Sequence, residues 1–201
     1  QDGTVGVLIG PSQGNQVLNN TILRMDENSG AGIQLGMGEV RDARIEGNSV
    51  SYCNEGLRSA PYPDHVVGLE VVNNTFLGSQ RNGTYLLSTI DSRLIGNSFL
   101  RGGGCGVYIG AGCSGLTVEG NDVSQNALAG LYIRDADDND VTGNLFLNNS
   151  MRGVHIESGT GNGVHGNAFL FNSDSGRRYS PLRSQAFCGE AGNSWSLGTG
   201  N

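Results

Sequence analysis

Apolar and polar residues alternate along this chain in very short runs, and each run ends at a turn rich in Gly, Asn, Asp or Ser. Within a run, single polar residues separate the apolar ones. This is the period-two pattern of a β-strand and differs from the 3.6-residue period of an α-helix. The pattern therefore predicts many short strands that are joined by tight turns.

The short runs belong to a longer repeat. The phrase V-x-G-N-x-F occurs at 141–146 and again at 164–169, and a second phrase, G-V-x-I, falls between such copies, as at 106–109 and 153–156. Weaker copies carry an asparagine at the same point of each repeat, and successive asparagines are 23 to 28 residues apart. These asparagines are Asn20, Asn48, Asn74, Asn97, Asn121, Asn144, Asn167 and Asn193.

Three short strands in each repeat predict one triangular coil, and stacked coils can pair strand upon strand in parallel. We therefore predict an all-β parallel β-helix of about eight coils in a single domain over 1–201, with repeats over 5–175 and a degenerate terminating coil over 176–201. Because the repeat already runs at Gly6, we expect a longer chain, a flanking domain or an oligomer partner to cover the open N-terminal edge.

The repeat also predicts what lies inside the coil. The two-residue corners G-N and N-N favour a left-handed backbone, and their asparagine side chains can bond the next coil to form an internal amide ladder. One apolar wall is predicted to end with Phe169 and then Trp195, and another ends with Val141 and Val164. The asparagines are therefore interpreted as structural, and the stacked aromatic residues of the wall as core.

These motifs resemble the right-handed β-helix repeats of the pectin-lyase-like superfamily, including NosD-like periplasmic proteins, over residues 5 to about 173. The resemblance implies a right-handed coil and a polysaccharide-related role. It does not imply one activity, because this fold carries lyases, hydrolases, epimerases, tailspikes and inert scaffolds.

Composition excludes several classes of protein. The chain has 34 glycines but four prolines and no G-x-y period, so it is not collagen-like. A net charge of −7 argues against a nucleic-acid or anionic-membrane partner, and no apolar run is long enough to insert into a membrane. All twelve basic residues are arginines, and the four cysteines do not pair easily in the predicted register.

The outward-facing residue of each G-V-x-I strand forms a row along one face of the coil. Tyrosines suit the apolar faces and hydroxyls of sugars, which predicts a polysaccharide-binding surface that also includes Glu157. The alternative is that the aromatic residues only stabilise parallel strands. The row consists of Leu8, Gln34, Arg58, Tyr85, Tyr108, Tyr132, His155 and Arg178.

Candidate chemistry lies beside this row. Tyr132, His155, Arg134 and Asp135 could supply the acid, the base and the charge neutraliser of a lyase or epimerase that acts on uronic acids. No cofactor is required, although calcium could bind through carboxylates that could equally be turn formers. The candidate calcium ligands are Asp135, Asp137, Asp138 and Asp140.

The longest insertion, residues 59–68, offers a second site. Its Tyr62, Asp64 and His65 are similar to the Tyr-Gly-x-Asp-Pro-His segment of mannuronan C5-epimerases, although Tyr62 and Asp64 are one residue closer and no proline precedes His65. Two functional hypotheses remain open. The chain is a secreted, periplasmic or cell-surface module that binds a polysaccharide and could modify it, or it is a non-catalytic rod of a fibre, tailspike or surface protein.

Overall fold

The computed structural model describes residues 5–25, 30–60, 64–173, 186–188 and 192–196. In these ranges the chain winds through short parallel strands that stack into a solenoid of about seven turns, compared with the eight coils predicted. None of the described residues forms a helix that could cross a membrane. The all-β parallel solenoid predicted from the repeat is confirmed.

The chain visits four sheets in turn, where three were predicted. The first sheet contains eight strands, and each pairs in parallel with the strand one coil later. Its strands are β1 (Val5–Ile9), β5 (Ala31–Gly36), β9 (Glu55–Ala60), β13 (Thr84–Leu86), β17 (Val107–Ile109), β20 (Leu131–Ile133), β23 (Val154–Ile156) and β26 (Ala186–Cys188).

The second sheet is short, and its two-residue strands come from the first four coils. Later coils keep only isolated bridges at this place, such as that between Ser114 and Asp137. The strands are β2 (Ser12–Gln13), β6 (Val40–Arg41), β10 (Val66–Val67) and β14 (Thr89–Ile90).

The third and fourth sheets are formed by three-residue strands whose middle side chain points inward, as in Val71 and Phe76. The third sheet comprises β3 (Gln16–Leu18), β7 (Arg44–Glu46), β11 (Glu70–Val72), β15 (Arg93–Ile95), β18 (Thr117–Glu119), β21 (Asp140–Thr142), β24 (Gly163–His165) and β27 (Ser194–Ser196). The fourth comprises β4 (Thr21–Leu23), β8 (Ser49–Ser51), β12 (Thr75–Leu77), β16 (Ser98–Leu100), β19 (Asp122–Ser124), β22 (Leu145–Leu147) and β25 (Ala168–Leu170).

The core is one continuous column of apolar side chains. Phe76 and Phe99 stack with ring centroids 5.1 Å apart, and Phe146 stacks on Phe169 at 5.2 Å. The predicted wall is therefore confirmed up to Phe169. Trp195 was predicted to follow Phe169, but the register pairs it with Val164 instead. The last coil thus enters the third sheet, because its chain is longer than the repeat that the sequence pattern assumed.

The predicted asparagine ladder runs between the third and fourth sheets. Asn121 is typical: its Oδ1 accepts hydrogen bonds from the backbone N and the Nδ2 of Asn97, at 2.8 and 3.0 Å. Its own Nδ2 donates to the backbone oxygen of Leu94 and to Oδ1 of Asn144, both at 2.9 Å. Asn121 therefore satisfies two buried backbone groups of the preceding coil and bonds the asparagine of the following one.

Two further ladders were not predicted. One joins Asn126 to Asn149 and Asn172 before the first sheet, with Nδ2 to Oδ1 distances of 3.0 and 2.9 Å. The other joins Asn139 to Asn162, and Asn193 continues it by accepting a hydrogen bond from the backbone N of Asn162 at 2.8 Å. Asn193 therefore belongs to this ladder and not to the predicted one, which ends at Asn167 among the described residues.

Three cysteines, Cys53, Cys105 and Cys113, are free and buried, as the difficulty of pairing them in the repeat suggested. Burial raises the pKa of Cys105 and of Cys113 to about 11. These two thiols are therefore protonated at neutral pH, and Cys113 packs as a small apolar side chain in the core of the coil.

Candidate functional site

A row of aromatic side chains lies on the outer face of the first sheet. Strand register places Tyr85 beside Tyr108, Tyr108 beside Tyr132, and Tyr132 beside His155, as predicted. The tyrosine rings stack with centroids 4.8 and 5.4 Å apart, whereas His155 meets Tyr132 edge-on at 4.9 Å. All four side chains are half-buried. We call Tyr85, Tyr108, Tyr132 and His155 the aromatic row.

The two ends of the aromatic row differ from each other. On the N-terminal side, Arg58 is the register neighbour of Tyr85, as predicted. On the C-terminal side, Arg178 was expected to follow His155, but the backbone of Phe187 is the register neighbour of His155. Arg178 itself lies outside the described residues. The interval from His155 to Phe187 is longer than the 23-residue step from Tyr132 to His155.

The aromatic row forms the floor of an open groove of about 510 Å³. Its side wall is formed by the turns that enter the first sheet from successive coils. A Cβ on Gly103 would collide with the carbonyl oxygen of Gln80, so glycine allows this wall to pack closely. The groove lining comprises Gln80, Arg81, Asn82, Tyr85, Gly103, Gly104, Cys105, Tyr108, Leu128, Ala129, Tyr132, Arg134, Met151 and His155.

The charged residues that line the groove are basic, although the chain is acidic. His155 aside, they are Arg81 and Arg134, whereas the whole chain carries a net charge of −7. Arg134 also lies 3.6 and 3.7 Å from the carboxylates of Asp135 and Glu157. Burial raises the pKa of Tyr108, and the neighbouring Tyr85 raises it further. The hydroxyl of Tyr108 is therefore neutral at physiological pH and can both donate and accept hydrogen bonds.

Three of the four candidate catalytic residues are close together. The hydroxyl of Tyr132 donates a hydrogen bond to Oε2 of Glu157, and Nε of Arg134 lies 3.7 Å from the same oxygen. His155 contacts the Tyr132 ring edge-on. Both of its ring nitrogens lie 3.4 Å from Nη1 of Arg152. An acid–base pair of Tyr132 and Glu157 beside a guanidinium is thus available at the C-terminal half of the groove.

Asp135 is the fourth candidate, and it faces another partner. Its Oδ1 accepts a hydrogen bond from Oγ of Ser158 at 2.7 Å, and its carboxylate lies 3.6 Å from Nε of Arg134. Asp137 likewise accepts hydrogen bonds from the backbone and hydroxyl of Thr160. These bonds tie one turn to the next coil.

The four aspartates do not converge on one point. Among the residues that the structure describes, there is no group of three or more His, Cys, Asp or Glu side chains that could hold a metal ion. Asp135 and Asp138 instead occupy left-handed turn positions, with φ of 55° and 56°. The turn-former alternative is supported, and the calcium site remains a prediction without a ligand cluster.

Sequence reasoning missed Glu55, a buried carboxyl beside the groove. Only 5% of Glu55 is exposed, and its Oε2 lies 3.7 Å from Nε of Arg58, although neither atom has a hydrogen-bond partner. Burial raises the pKa of Glu55, whereas Arg58, Arg81 and a hydrogen bond from Asn82 oppose that rise. The available signal was the acidic residue directly before Gly56, where other coils carry uncharged residues such as Ala31 or, in one coil, Arg152.

Asp64 and His65 of the epimerase-like segment do not line the groove. Tyr62 is outside the described residues. Asp64 and His65 are described, and the backbone oxygen of His65 accepts a hydrogen bond from the backbone N of Val40 at 3.1 Å. This bond joins the loop to the second sheet. The resemblance to mannuronan C5-epimerases therefore remains a prediction.

Comparison with known proteins identifies the family. The family model described as "Right handed beta helix region" matches residues 5–169. The chain belongs to the right-handed β-helix family. No curated protein matches it. The right-handed coil that the repeat motifs implied is therefore confirmed.

Solved structures of other right-handed β-helices are similar in fold. The Dettilon tailspike protein is 14% identical with a TM-score of 0.55, and the match covers 96% of this chain and 41% of the tailspike. The A-module of the Azotobacter vinelandii mannuronan C-5 epimerase AlgE6 is 16% identical with a TM-score of 0.44, covering 100% of this chain and 68% of that module. This chain thus spans less than half of the tailspike, and the likeness shows the fold alone.

Proposed function

We propose that this chain binds a polysaccharide along the aromatic row, outside the cytoplasm, where such polymers occur. One observation supports the proposal above others: three tyrosines stack in register along the floor of an open groove. The three tyrosines remain half-exposed, so their rings and hydroxyls offer apolar contact and hydrogen bonds at regular intervals. A chain of sugar rings presents the same combination of apolar faces and hydroxyls.

The shape of the groove supports a polymer more than a small molecule. The groove is open, and its floor follows the solenoid axis over four coils from Tyr85 to His155. Coils stack at roughly 4.8 Å, so four successive side chains span about 14 Å. An extended ligand can therefore contact several coils at once, and each coil adds one similar contact.

Affinity electrophoresis in gels that contain soluble polysaccharides tests the proposal. The panel contains pectate, alginate and dextran, and the variants are Tyr108→Ala and Tyr132→Ala. We expect at least one polymer to retard the wild type and each variant to lose about tenfold in affinity, since a stacked aromatic contact contributes about 1–3 kcal/mol. Tyr52→Ala is the matched control, because Tyr52 is 51% exposed and lies outside the groove lining.

Two outcomes would contradict binding along the row. If no polymer retards the wild type, the chain serves as a structural rod, which is the second candidate function. If Tyr52→Ala and Tyr108→Ala weaken binding equally, the polymer binds elsewhere on the solenoid. Thermal unfolding of each variant shows whether a lost interaction reflects a lost fold.

A catalytic role is a further candidate, and the contact between Tyr132 and Glu157 favours it. In a uronan lyase or epimerase, Tyr132 would exchange a proton with the sugar carbon beside the carboxylate, and Arg134 would neutralise the developing charge. Lyase activity is measured as absorbance at about 235 nm from the unsaturated product, and epimerase activity by proton NMR. Wild-type activity that survives in Tyr132→Phe would exclude this assignment.

A further inference from the structure

The N-terminal end of the groove carries charges that the aromatic row does not explain. Glu55, Arg58 and Arg81 lie on two consecutive coils beside Tyr85. The backbone N of Arg81 donates to the backbone oxygen of Asn54 at 2.8 Å, which places Arg81 one coil above the residue before Glu55. Arg58 is the register neighbour of Tyr85. The two arginines therefore flank the same end of the groove.

The interaction between Glu55 and Arg58 is a poor stabilising contact. The charged atoms are 3.7 Å apart without a hydrogen bond, and the Glu55 side chain is 6% exposed while that of Arg58 is 38% exposed. Removing a carboxylate from water costs free energy that only close, hydrogen-bonded pairing offsets. Burial also raises the pKa of Glu55, so the cost outweighs the attraction of the arginines.

The carboxylate nevertheless has a clear electrostatic effect. Two guanidinium groups that approach each other repel, and a negative charge held between them offsets that repulsion. Arg81 lines the groove, and Arg58 is partly exposed next to Tyr85, at the N-terminal end of the aromatic row. A unit of two arginines and one carboxylate keeps a net charge of +1 and presents planar donors to the ligand. Guanidinium groups of this kind bind carboxylates and sulfates through paired hydrogen bonds.

We propose that Arg58 and Arg81, brought together by the buried Glu55, form an anion-binding subsite at the Tyr85 end of the groove that takes a carboxylate or sulfate carried by the polysaccharide. This inference rests on the proposed function and adds the class of ligand. Arg58 and Arg81 contact the anion, and Glu55 is a positioning residue that acts through them. The subsite also gives the groove a direction. Arg134 and Arg152 lie at the His155 end, but the carboxylate there, Glu157, is exposed and accepts a hydrogen bond from Tyr132.

Matched pairs of polymers test the subsite. One pair is homogalacturonan with free or with methyl-esterified carboxylates, and the other is dextran with or without sulfate. The measured quantity is the affinity ratio between the charged and the neutral member of each pair. We expect a ratio of about ten or more for at least one pair in the wild type, since charge-assisted hydrogen bonds are about twice as strong as neutral ones. The pair that discriminates identifies the anion.

The variants Arg58→Gln and Arg81→Gln should each bring this ratio towards one, because glutamine keeps a polar amide but carries no charge. Arg93→Gln is the matched control, because it removes one arginine charge from the third sheet, on another face of the solenoid. If Arg93→Gln lowers the ratio as much as Arg58→Gln, net charge explains the preference and the subsite is wrong.

Glu55→Gln tests the positioning role, because the two possible effects have opposite signs. If Glu55 only repels the anion, the neutral glutamine raises the ratio. If Glu55 holds the arginines together, the glutamine lowers it, and this is the expected result. A raised ratio would overturn the role of Glu55. Circular dichroism of the same sample checks that the coil is intact.

The outcomes also separate this inference from the proposed function. A wild type that binds charged and neutral polymers equally, with both affinities lost in Tyr108→Ala, would overturn the subsite and leave polysaccharide binding in place. A wild type that binds no polymer would overturn both. A ratio that falls in the arginine variants while neutral binding persists would support both.

Discussion

The asparagine ladder and the aromatic row are both built by stacking like residues on successive coils, but they differ in how much of each side chain remains available for a ligand. Both stack like residues on successive coils in strict register. Asn121 is 1% exposed, and its side-chain amide makes four hydrogen bonds within the ladder and the backbone. Tyr108 stacks equally regularly but remains half-exposed above a groove.

The difference shows that stacking alone does not indicate function. A buried rung that uses all its hydrogen-bonding capacity on its neighbours has nothing left for a ligand, whereas a half-exposed ring keeps an edge and a hydroxyl free. The ladder therefore stabilises the coil, and the row is the surface available for binding. Substitutions in the asparagine ladder should consequently lower the free energy of unfolding, whereas substitutions in the aromatic row should mainly lower the affinity for a ligand.

The largest expected effect is on stability, at the centre of the ladder. Asn121→Ala leaves the backbone N of Asn97 and the backbone oxygen of Leu94 without these buried partners. We expect the free energy of unfolding in urea to fall by about 3–5 kcal/mol, at about 1–3 kcal/mol for each unsatisfied group. Asn20→Ala, at the exposed end of the ladder, should cost only about 1 kcal/mol. Equal losses would show that the ladder contributes little beyond local turns.

An intermediate effect is expected at alkaline pH, in the coil interior. Burial raises the pKa of Cys105 and of Cys113 to about 11. Because the folded state holds these protons more tightly, its stability should be unchanged well below pH 9 and fall as the pH rises towards 11. The loss is about 2–3 kcal/mol for each thiol.

Urea unfolding of the wild type and of Cys105→Ala/Cys113→Ala at about pH 8 and about pH 11 measures this difference. The double variant keeps every tyrosine, so the ionisation of the aromatic row contributes equally to both proteins. The wild type should lose more stability than the double variant over this interval. Parallel losses would place the alkaline sensitivity outside the core thiols.

The smallest effect on stability is expected in the aromatic row. Tyr132→Phe removes the hydroxyl that contacts Glu157 but keeps the stacked ring. Since this contact is exposed to solvent, we expect the free energy of unfolding to change by less than about 1 kcal/mol. Tyr132→Ala also removes the ring stack and should cost about 1–2 kcal/mol. A loss as large as that of Asn121→Ala would mean that the row is a structural element and would weaken the case for binding.

Much of the fold could be predicted because the repeat has a nearly constant length through the central coils. The intervals between Asn74 and Asn167 vary only between 23 and 24 residues, so residues of equal phase lie above each other. The regular spacing places Tyr85, Tyr108, Tyr132 and His155 in one row from the sequence alone, and the strand register agrees. The prediction failed where the interval changed: the last coil is longer, and Trp195 and Asn193 moved to other columns.

The groove was harder to predict than the row, because it depends on the side wall. The turns that contain Gln80, Gly103 and Leu128 do not share a sequence phrase, and their distance from the tyrosines follows from backbone packing. Glu55 was missed for a related reason: its burial results from the coils above and below it and not from its own sequence context. The ladder of Asn126, Asn149 and Asn172 had a regular spacing of 23 residues and could have been found.

Because the coils have nearly the same length, a whole coil can be deleted from the solenoid. Excision of residues 106–129 would join Cys105 to Gly130, which restores the local sequence Cys-Gly and removes one member from each column. The neighbouring coils present the same inward pattern, so the solenoid can close over the gap. The shortened rod would have one tyrosine fewer and a floor about 4.8 Å shorter. Adding or deleting coils would thus adjust the reach of the surface stepwise, without redesigning any contact in it.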